Sequence, residues 1–390
     1  MKTPNLILLI FVILLLIAGA CSPAGTGSEP GVEETSPPAE MEEPESEPAE
    51  MGQEAGNPKI ELTDASGNSL SFEAKPERIA VAGKAGQLIL HSAYLFPEAT
   101  DQIAAMEQRL QKDISMLPLV DPNVDEKIQL EKGAAAEQIA PAKPDAVLMK
   151  TYMAEDLGEP LEQLGIPVVY FDLETPEQFT RDIKVLGVLF DDPERADQIL
   201  TFYQGKLDEV EAGMEGLQIQ DRHPVLLIQY DNKGGEVAFK VPPTDWLQTL
   251  MVELAGGEPV WAEASEAGGW TVVNFEQIAA WNPEIIILVN YFGDPGEVVD
   301  ELNQDPNWQA LQAVQGDKLF AFPGDFLSWD QPDPRWILGL EWLAKTIYPE
   351  RFVSLDMTEE IKNFYSEMYG LDAEKVENEV LPLVTGDIGN

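Results

Sequence analysis

The sequence predicts an α/β fold made of two similar lobes, and three features support this. The segment EQIA at 137–140 is followed after three residues by Pro-Asp and an apolar run. The same four residues return at 276–279, followed after three residues by Pro-Glu and an apolar run. The copies lie too far apart for a solenoid repeat, whose period is about 20–50 residues. Strand and helix patterns also alternate along the chain, and a long helical pattern separates the two copies. Two lobes leave a cleft between them, where a small ligand is expected.

The first lobe, predicted at 58–174, opens with a hairpin whose strands flank the turn-rich residues 64–68. Alternating elements follow. The predicted strands are 59–63, 69–72, 78–82, 103–106, 146–149 and 168–171, and the predicted helices are 87–95, 134–139 and 157–164. This alternation is typical of a parallel sheet with helical crossovers.

A connecting helical segment is predicted at 175–214, where apolar residues recur at three- and four-residue spacing. Asp191-Asp192-Pro193 is expected to divide it, with Asp192 capping the second piece. The second lobe is predicted at 222–370, with a tail at 371–390. Its strands are expected at 225–229, 285–289 and 318–322, and its helices at 244–255, 275–280, 334–347 and 358–369.

The N-terminus predicts export. Residues 6–17 are unbroken apolar, follow Lys2 and precede small residues at 18–20, so we interpret 1–20 as a secretory signal peptide, with an uncleaved membrane anchor as the alternative. Cys21 is the single cysteine, which excludes an intramolecular disulfide. Its setting resembles the lipobox of bacterial lipoproteins, although Ala18 replaces the usual leucine, and the resemblance implies a lipid anchor at Cys21. Residues 21–57, rich in Pro, Gly and Glu with no Lys or Arg, are expected to form a disordered leash.

The formal net charge of −46 limits the partners. Nucleic acid binding needs basic patches, and a peripheral grip on anionic lipid needs clustered cations, so neither is expected. The alternative interpretation of the acidity is solubility or adaptation to salt.

The order of several short motifs resembles the substrate-binding lipoproteins of ABC importers, closest to those for ferric siderophores, haem, cobalamin and some oxyanions. The motifs are DASG at 64–67, PERIAV at 76–81, EQI at 137–139 and 276–278, LAGG at 254–257 and YPERF at 348–352. The resemblance implies two Rossmann-like lobes joined by one long helix, with a ligand cleft between the lobes. It also implies an extracytoplasmic, membrane-anchored monomer without a cofactor, whose protein partner is an ABC permease.

Candidate ligand residues follow the strands, because ligands of parallel α/β sheets lie beyond the carboxyl ends of the strands. In the first lobe these are Lys84 and Gly86, in a glycine-containing turn that could equally be a plain turn, and Lys150 and Tyr152. Tyr152, like its counterpart Tyr291 in the second lobe, could instead merely pack against the protein.

The second lobe supplies further candidates by the same argument, namely Tyr230, Lys240, Trp270, Tyr291, Trp329 and Arg335. Trp270 and Trp329 lie in predicted loops, where a core role explains a tryptophan less easily. Arg335 precedes a predicted helix and could bind an anion, or it could pair with Asp330 or Asp333.

Four cations at the predicted cleft of so acidic a chain, Lys84, Lys150, Lys240 and Arg335, favour an anionic ligand. A ferric chelate of the siderophore type is the first hypothesis, and molybdate, tungstate, cobalamin or haem are the alternatives. Direct metal ligation is not expected, because the chain has only two histidines. A surface enzyme or an adhesin is the alternative of another class, but no catalytic motif such as HExxH or GxSxG occurs.

Overall fold

The computed structural model describes residues 59–107, 114–232, 235–266 and 268–389. The predicted signal peptide, Cys21 and most of the leash lie outside these residues. Within them, no helix combines the length and the apolar character needed to cross a bilayer.

The first lobe begins with the antiparallel hairpin β1 (Ile60–Thr63) and β2 (Ser69–Phe72), as predicted. A five-stranded parallel sheet follows in the order β5-β4-β3-β6-β7. Its strands are β3 (Ile79–Val81), β4 (Ile103–Met106), β5 (Ile128–Gln129), β6 (Ala146–Lys150) and β7 (Val168–Phe171). Its helices are α1 (Gly86–Ala93), α2 (Ala99–Gln102), α3 (Leu117–Val120), α4 (Ala136–Ile139) and α5 (Glu159–Gln163). The edge strand β5, which is exposed and two residues long, was not predicted.

The connecting segment consists of α6 (Pro176–Phe190) and α7 (Pro193–Gly213). The break falls where the sequence predicted it. Asp191 has the left-handed φ of 59°, and the Asp192 carboxylate accepts a hydrogen bond from the Arg195 amide at 2.9 Å. The long helix implied by the family resemblance is therefore α7 alone, whose 21 residues span about 32 Å.

The second lobe holds a sheet in the order β11-β9-β8-β12-β13, with β10 paired to β8. Its strands are β8 (Pro224–Asp231), β9 (Ala238–Val241), β10 (Glu258–Pro259), β11 (Thr271–Val273), β12 (Ile285–Val289) and β13 (Leu319–Ala321). Its helices are α8 (Leu247–Leu254), α9 (Phe275–Trp281), α10 (Pro295–Gln304), α11 (Gln312–Gln315), α12 (Trp336–Ile347), α13 (Met357–Tyr369) and α14 (Ala373–Lys375). The antiparallel strands β9 and β11 were not expected.

The two central strands explain why the core could be predicted. Every residue of β6 and β12 is buried, as expected for parallel strands covered by helices on both faces. Polar side chains that could meet a ligand are therefore expected at the ends of these strands. The candidate site is accordingly expected at their carboxyl ends.

Candidate ligand-binding site

The turn between β3 and α1 carries Lys84 and Gly86. Gly83 and Ala85 both have left-handed backbone conformations, with φ of 89° and 57°, which fold the chain sharply into α1. The buried Glu107 carboxylate accepts the Gly83 amide at 2.9 Å, so one amide that could have cradled an anion is already occupied. Gly86 is buried as the first residue of α1. Lys84 is exposed, and no ion pair to it is found among the described residues.

Lys150, at the end of β6, is held within its own lobe. Its side chain is only 1% exposed, and its ammonium lies 2.6 Å from the Glu174 carboxylate while also bonding the Asp172 carbonyl. The Thr151 hydroxyl donates to the Asp172 carboxylate. Lys150 and Glu174 therefore compensate each other's charge, and Glu174, 35% exposed, is the partner that lies nearer to solvent.

The position of Glu174 is set by a strained turn after β7. Leu173 is buried with a φ of 60°, a conformation that a leucine adopts only when its surroundings impose it. The fully buried Asp182 imposes it by accepting the amides of Asp172 and Leu173 at 2.8 and 2.9 Å. Strain at this point is consistent with a functional position for Glu174.

Tyr152 lies beside Lys84 at the surface of the first lobe. Its ring is 57% exposed, and its hydroxyl donates to the Lys84 carbonyl at 3.2 Å. The structure therefore brings two predicted residues together, and the alternative that Tyr152 packs in the core does not hold.

The second lobe places a polar cluster at the end of β12, made of Tyr291, Asp330, Ser328 and Gln248. The Asp330 carboxylate accepts the Tyr291 hydroxyl at 2.6 Å, the Ser328 hydroxyl at 2.5 Å and the Gln248 amide at 3.3 Å. Burial raises the pKa of Asp330, and burial together with Asp330 raises that of Tyr291. The Tyr291 hydroxyl is consequently a fixed, protonated donor.

Three aromatic rings continue from this cluster, and we call Trp246, Trp270 and Tyr291 the aromatic wall. Trp270 meets Trp246 edge-on at 6.0 Å between ring centroids, and it meets Tyr291 in the same way at 6.1 Å. Edge-to-face pairs fix the rings relative to one another. Trp246 and Trp270 are half-buried, so the wall offers aromatic surface beside a polar cluster.

The two lobes are in direct contact through buried groups. His91 of α1, in the first lobe, lies 2.5 Å from Asp333 of the second lobe. The charge of Glu174, which follows β7, also adds to the raised pKa of Tyr291, after the larger effects of burial and Asp330.

Two predicted ligand residues, Trp329 and Arg335, lie in the core instead. Both are 0% exposed. The Trp329 indole donates to Asp325 at 3.1 Å, and the Arg335 guanidinium pairs with Asp333 at 2.6 Å and Asp325 at 3.0 Å. A buried guanidinium requires carboxylate partners to offset its lost hydration, so the salt-bridge alternative describes Arg335. Burial alone would raise the pKa of Asp333, but Arg335 and His91 lower it below its usual range.

The remaining predicted residues, Tyr230 and Lys240, lie on the β8–β9 hairpin. The Lys240 ammonium pairs with Asp231, and the Tyr230 ring packs against Phe239 with centroids 6.0 Å apart. Three of the four predicted cations are thus paired with carboxylates, so the expected cationic cleft is not what the structure presents. The prediction of a cationic cleft from the basic residues alone was wrong, because a sequence does not reveal which carboxylates lie beside which cations.

The comparison with known families bears on this architecture. Residues 100–326, more than half of the chain, match the family model described as periplasmic binding protein. The chain belongs to the periplasmic binding protein family. That family consists of solute-binding proteins of ABC transporters rather than enzymes, and this protein is accordingly an extracytoplasmic solute-binding protein.

Three similar proteins illustrate the range of the family. The molybdate-binding protein MolA of Haemophilus influenzae is 26% identical over 254 residues, which are 60% of this chain and 69% of that protein. The vitamin B12-binding protein of Pectobacterium atrosepticum is 26% identical over 167 residues, 42% of this chain and 57% of that one. A periplasmic solute binding protein from Veillonella parvula, of known crystal structure, superposes with a TM-score of 0.66 at 22% identity, covering 83% and 97%. This last likeness concerns the fold.

Sequence reasoning overlooked Glu174 and Gln248 of this binding protein. Glu174 follows a buried strand, so the rule that ligands lie beyond strand ends could have found it. Gln248 offers no such signal, because it lies inside α8 and reaches Asp330 only in the folded chain.

Proposed function

We propose that this binding protein captures a metal chelate with a large organic face, of the ferric-siderophore or cobalamin class, and delivers it to an ABC permease. The observation that carries the proposal is the aromatic wall, fixed beside the Tyr291–Asp330 hydrogen bond. Aromatic faces suit flat or apolar ligand surfaces, and the few fixed polar groups orient them. Because Lys150 and Lys240 are already paired, the ligand need not carry a large negative charge.

A ligand panel tests this proposal. The purified protein is titrated with a ferric catecholate, a ferric hydroxamate, cyanocobalamin, haem, molybdate and tungstate, while thermal unfolding is followed. An organic chelate present at a hundred times its Kd is expected to add about 2.7 kcal/mol to the free energy of unfolding. Binding of the oxyanions alone would contradict the proposal.

The aromatic wall is tested by Trp270→Ala, which is expected to weaken chelate binding at least tenfold, about 1.4 kcal/mol. Trp281→Ala is the matched control, because Trp281 is a half-buried tryptophan of the same lobe at the end of α9. Equal losses in both variants would remove the wall from the site.

An oxyanion such as molybdate or tungstate is the second candidate, favoured by one specific observation. Lys84 is exposed and has no ion pair among the described residues, and it sits in a turn that leads into a helix N-terminus. The similarity to a molybdate-binding protein supports the same candidate. The two candidates make opposite predictions, because Lys84→Met should abolish oxyanion binding and leave chelate binding nearly intact.

Anchoring through a lipidated Cys21 is also a proposal, supported by the small residues that precede it and the leash that follows. Cys21→Ser is expected to move the protein from the membrane fraction to the soluble extracytoplasmic fraction without changing its affinity for a ligand. An unaltered distribution would argue against a lipid anchor.

A further inference from the structure

The chain continues for about twenty residues beyond its last long helix, and this C-terminal tail is tightly held. After α13 the chain reverses at Gly370, and Val376 and Val380 are then fully buried. The Lys375 ammonium donates to the Leu119 carbonyl of the first lobe at 2.7 Å. Chain ends fray unless they are tied down, and this one is tied to the body of the protein.

We call residues 385–387 the tip of the tail. The tip forms backbone hydrogen bonds at the end of β13 and in the loop that follows it. Thr385 and Gly324 exchange two backbone hydrogen bonds, at 3.1 and 2.8 Å. The Asp387 amide donates to the Ala321 carbonyl at 2.9 Å, and the Asp387 carboxylate accepts the Ala321 amide at 2.8 Å. The tip therefore fixes both the last residue of β13 and the loop that leaves it.

Gly386 is required for this contact. Its φ is 84°, and a Cβ at this position would lie 2.7 Å from the Phe322 carbonyl oxygen and 2.8 Å from the Pro323 Cα. Both atoms belong to backbone, so a side chain could be accommodated only if the tip moved away from the loop.

The loop held by the tip carries the polar cluster of the candidate site. Gly324 bridges to Ser328, the Ser328 hydroxyl bonds Asp330, and Asp330 bonds Tyr291. Thr385 also lines a small cavity together with Tyr291 and Ser328. The tip thus reaches a cavity that Tyr291 of the aromatic wall also lines.

From these contacts we propose that residues 385–387 are positioning residues for the ligand site. They hold the loop at 324–330, so that Asp330 keeps its hydrogen bond to the Tyr291 hydroxyl and thereby holds the Tyr291 ring in the aromatic wall. The effect on affinity rests on the function proposed above, whereas the effect on the loop does not. If the tip merely stabilised the whole fold, displacing it would loosen all elements alike. If the tip positions the loop, displacing it would loosen the loop alone, and hydrogen exchange distinguishes the two cases.

Gly386→Ala tests the proposal, with Gly389→Ala as its matched control. Gly389 has a similar φ of 76°, but the nearest atom to its added Cβ is the flexible Lys345 Cε at 3.8 Å. Both substitutions therefore introduce the same backbone strain, and only the first forces the tip from the loop. Asp387→Ala is the second test, because it removes one hydrogen bond to Ala321 and adds no clash.

Amide hydrogen exchange without ligand gives the first readout. Gly386→Ala and Asp387→Ala are expected to speed exchange at Phe326 and Trp329 at least tenfold, while the amides of α7 exchange as in the unaltered chain. Gly389→Ala is expected to exchange like the unaltered chain in both regions. Unchanged exchange in the loop, an equal rise throughout α7, or the same response in Gly389→Ala would overturn the proposal.

Titration with cyanocobalamin and with a ferric catecholate gives the second readout. Whichever compound binds the unaltered chain should bind Gly386→Ala about tenfold more weakly and Gly389→Ala equally well. If neither binds the unaltered chain, the ligand panel described above decides the proposed function, and hydrogen exchange still decides the role of the tip. Unchanged affinity beside a loosened loop would overturn the positioning role.

Discussion

The two copies of the internal repeat have the same structure at the amino ends of β6 and β12. Gln138 accepts the Ala135 amide at 2.9 Å, and Gln277 accepts the Asn274 amide at 3.0 Å, so the repeated glutamine caps its helix in both lobes. Each helix is then followed by a residue with left-handed φ, 50° at Lys143 and 44° at Asn282. The repeat therefore encodes how a helix turns into a buried strand.

The acidic residue after the repeated proline also acts alike in both copies. The Asp145 amide donates to the Arg78 carbonyl at 2.7 Å, and the Glu284 amide donates to the Pro224 carbonyl at 2.9 Å. The contacts of the two carboxylates differ, because Asp145 accepts the Arg78 backbone amide at 2.9 Å and Glu284 bonds the His223 imidazole at 2.7 Å. Each acidic residue therefore sets the register between two central strands.

At the carboxyl ends the copies diverge. The first lobe ends β6 with Lys150 paired to Glu174, whereas the second follows β12 with Tyr291 bonded to Asp330 beside two tryptophans. The two copies therefore share the backbone arrangement that leads into the strand, but they carry different side chains where the strand ends. Substitutions at corresponding and non-corresponding positions can test that division.

The largest expected effect is at Arg335, which is buried in the second lobe. Arg335→Met leaves Asp333 and Asp325 buried without their cation, and should lower the free energy of unfolding by about 3–5 kcal/mol. Urea denaturation measures this, with Lys84→Met of the first lobe as the exposed control that should unfold like the unaltered chain. A similar small loss in both variants would show that the buried network contributes little.

A pH-dependent effect is expected at Glu341 of α12, in the second lobe. Burial raises its pKa to about 8, although Lys206 lies 3.1 Å away. In the unfolded chain this carboxyl loses its proton near pH 4.5, whereas in the folded state it keeps the proton up to about pH 8. The free energy of unfolding therefore falls as pH rises through that window.

Glu341→Gln removes this titration and should flatten the dependence. At pH 8.5 the variant should be more stable than the unaltered chain by about 2 kcal/mol. This is less than the gain of about 1.4 kcal/mol for each unit of pKa shift, because in the variant Lys206 loses one anionic neighbour. Lys206 keeps Glu360 at 2.5 Å. Denaturation at pH 5, 7 and 8.5 decides, and parallel curves for the two proteins would contradict the assignment.

A smaller, symmetric effect is expected at the repeated glutamines. Gln138→Ala and Gln277→Ala should each cost about 0.5–1 kcal/mol, since each removes one side-chain bond to an N-cap amide. Hydrogen exchange at Ala135 and Asn274 locates the loss. A tenfold difference in the effect on these two amides would break the equivalence of the two copies.

The smallest effects are expected at the left-handed residues that follow the repeated helices. Lys143→Gly should stabilise the protein by about 0.5 kcal/mol, because glycine relieves the left-handed strain but enlarges the unfolded ensemble. Asn282→Gly should be nearly neutral, since asparagine tolerates this conformation better. Thermal unfolding of both variants suffices, and stabilisation only at Asn282 would reverse the argument.

Much of the fold could be predicted because its signals are local. The apolar runs of β6, β7 and β12, the cap at Asp192 and the hairpin turn at 64–68 each lie within a few neighbouring residues. The edge strands β5 and β11 and the partly exposed strand β9 escaped prediction, because none of them carries a continuous buried apolar run.

The sequence by itself determined the two-lobed α/β plan, the strand ends that carry the candidate residues, and the family. Only the tertiary structure decided which of those residues are exposed and which are buried or paired. Lys84 and Arg335 looked alike in the chain, yet one is exposed and the other is enclosed by Asp325 and Asp333. The physical reason is that periodicity and capping act between near neighbours, whereas the burial and pairing of a charge depend on side chains brought together from distant parts of the chain.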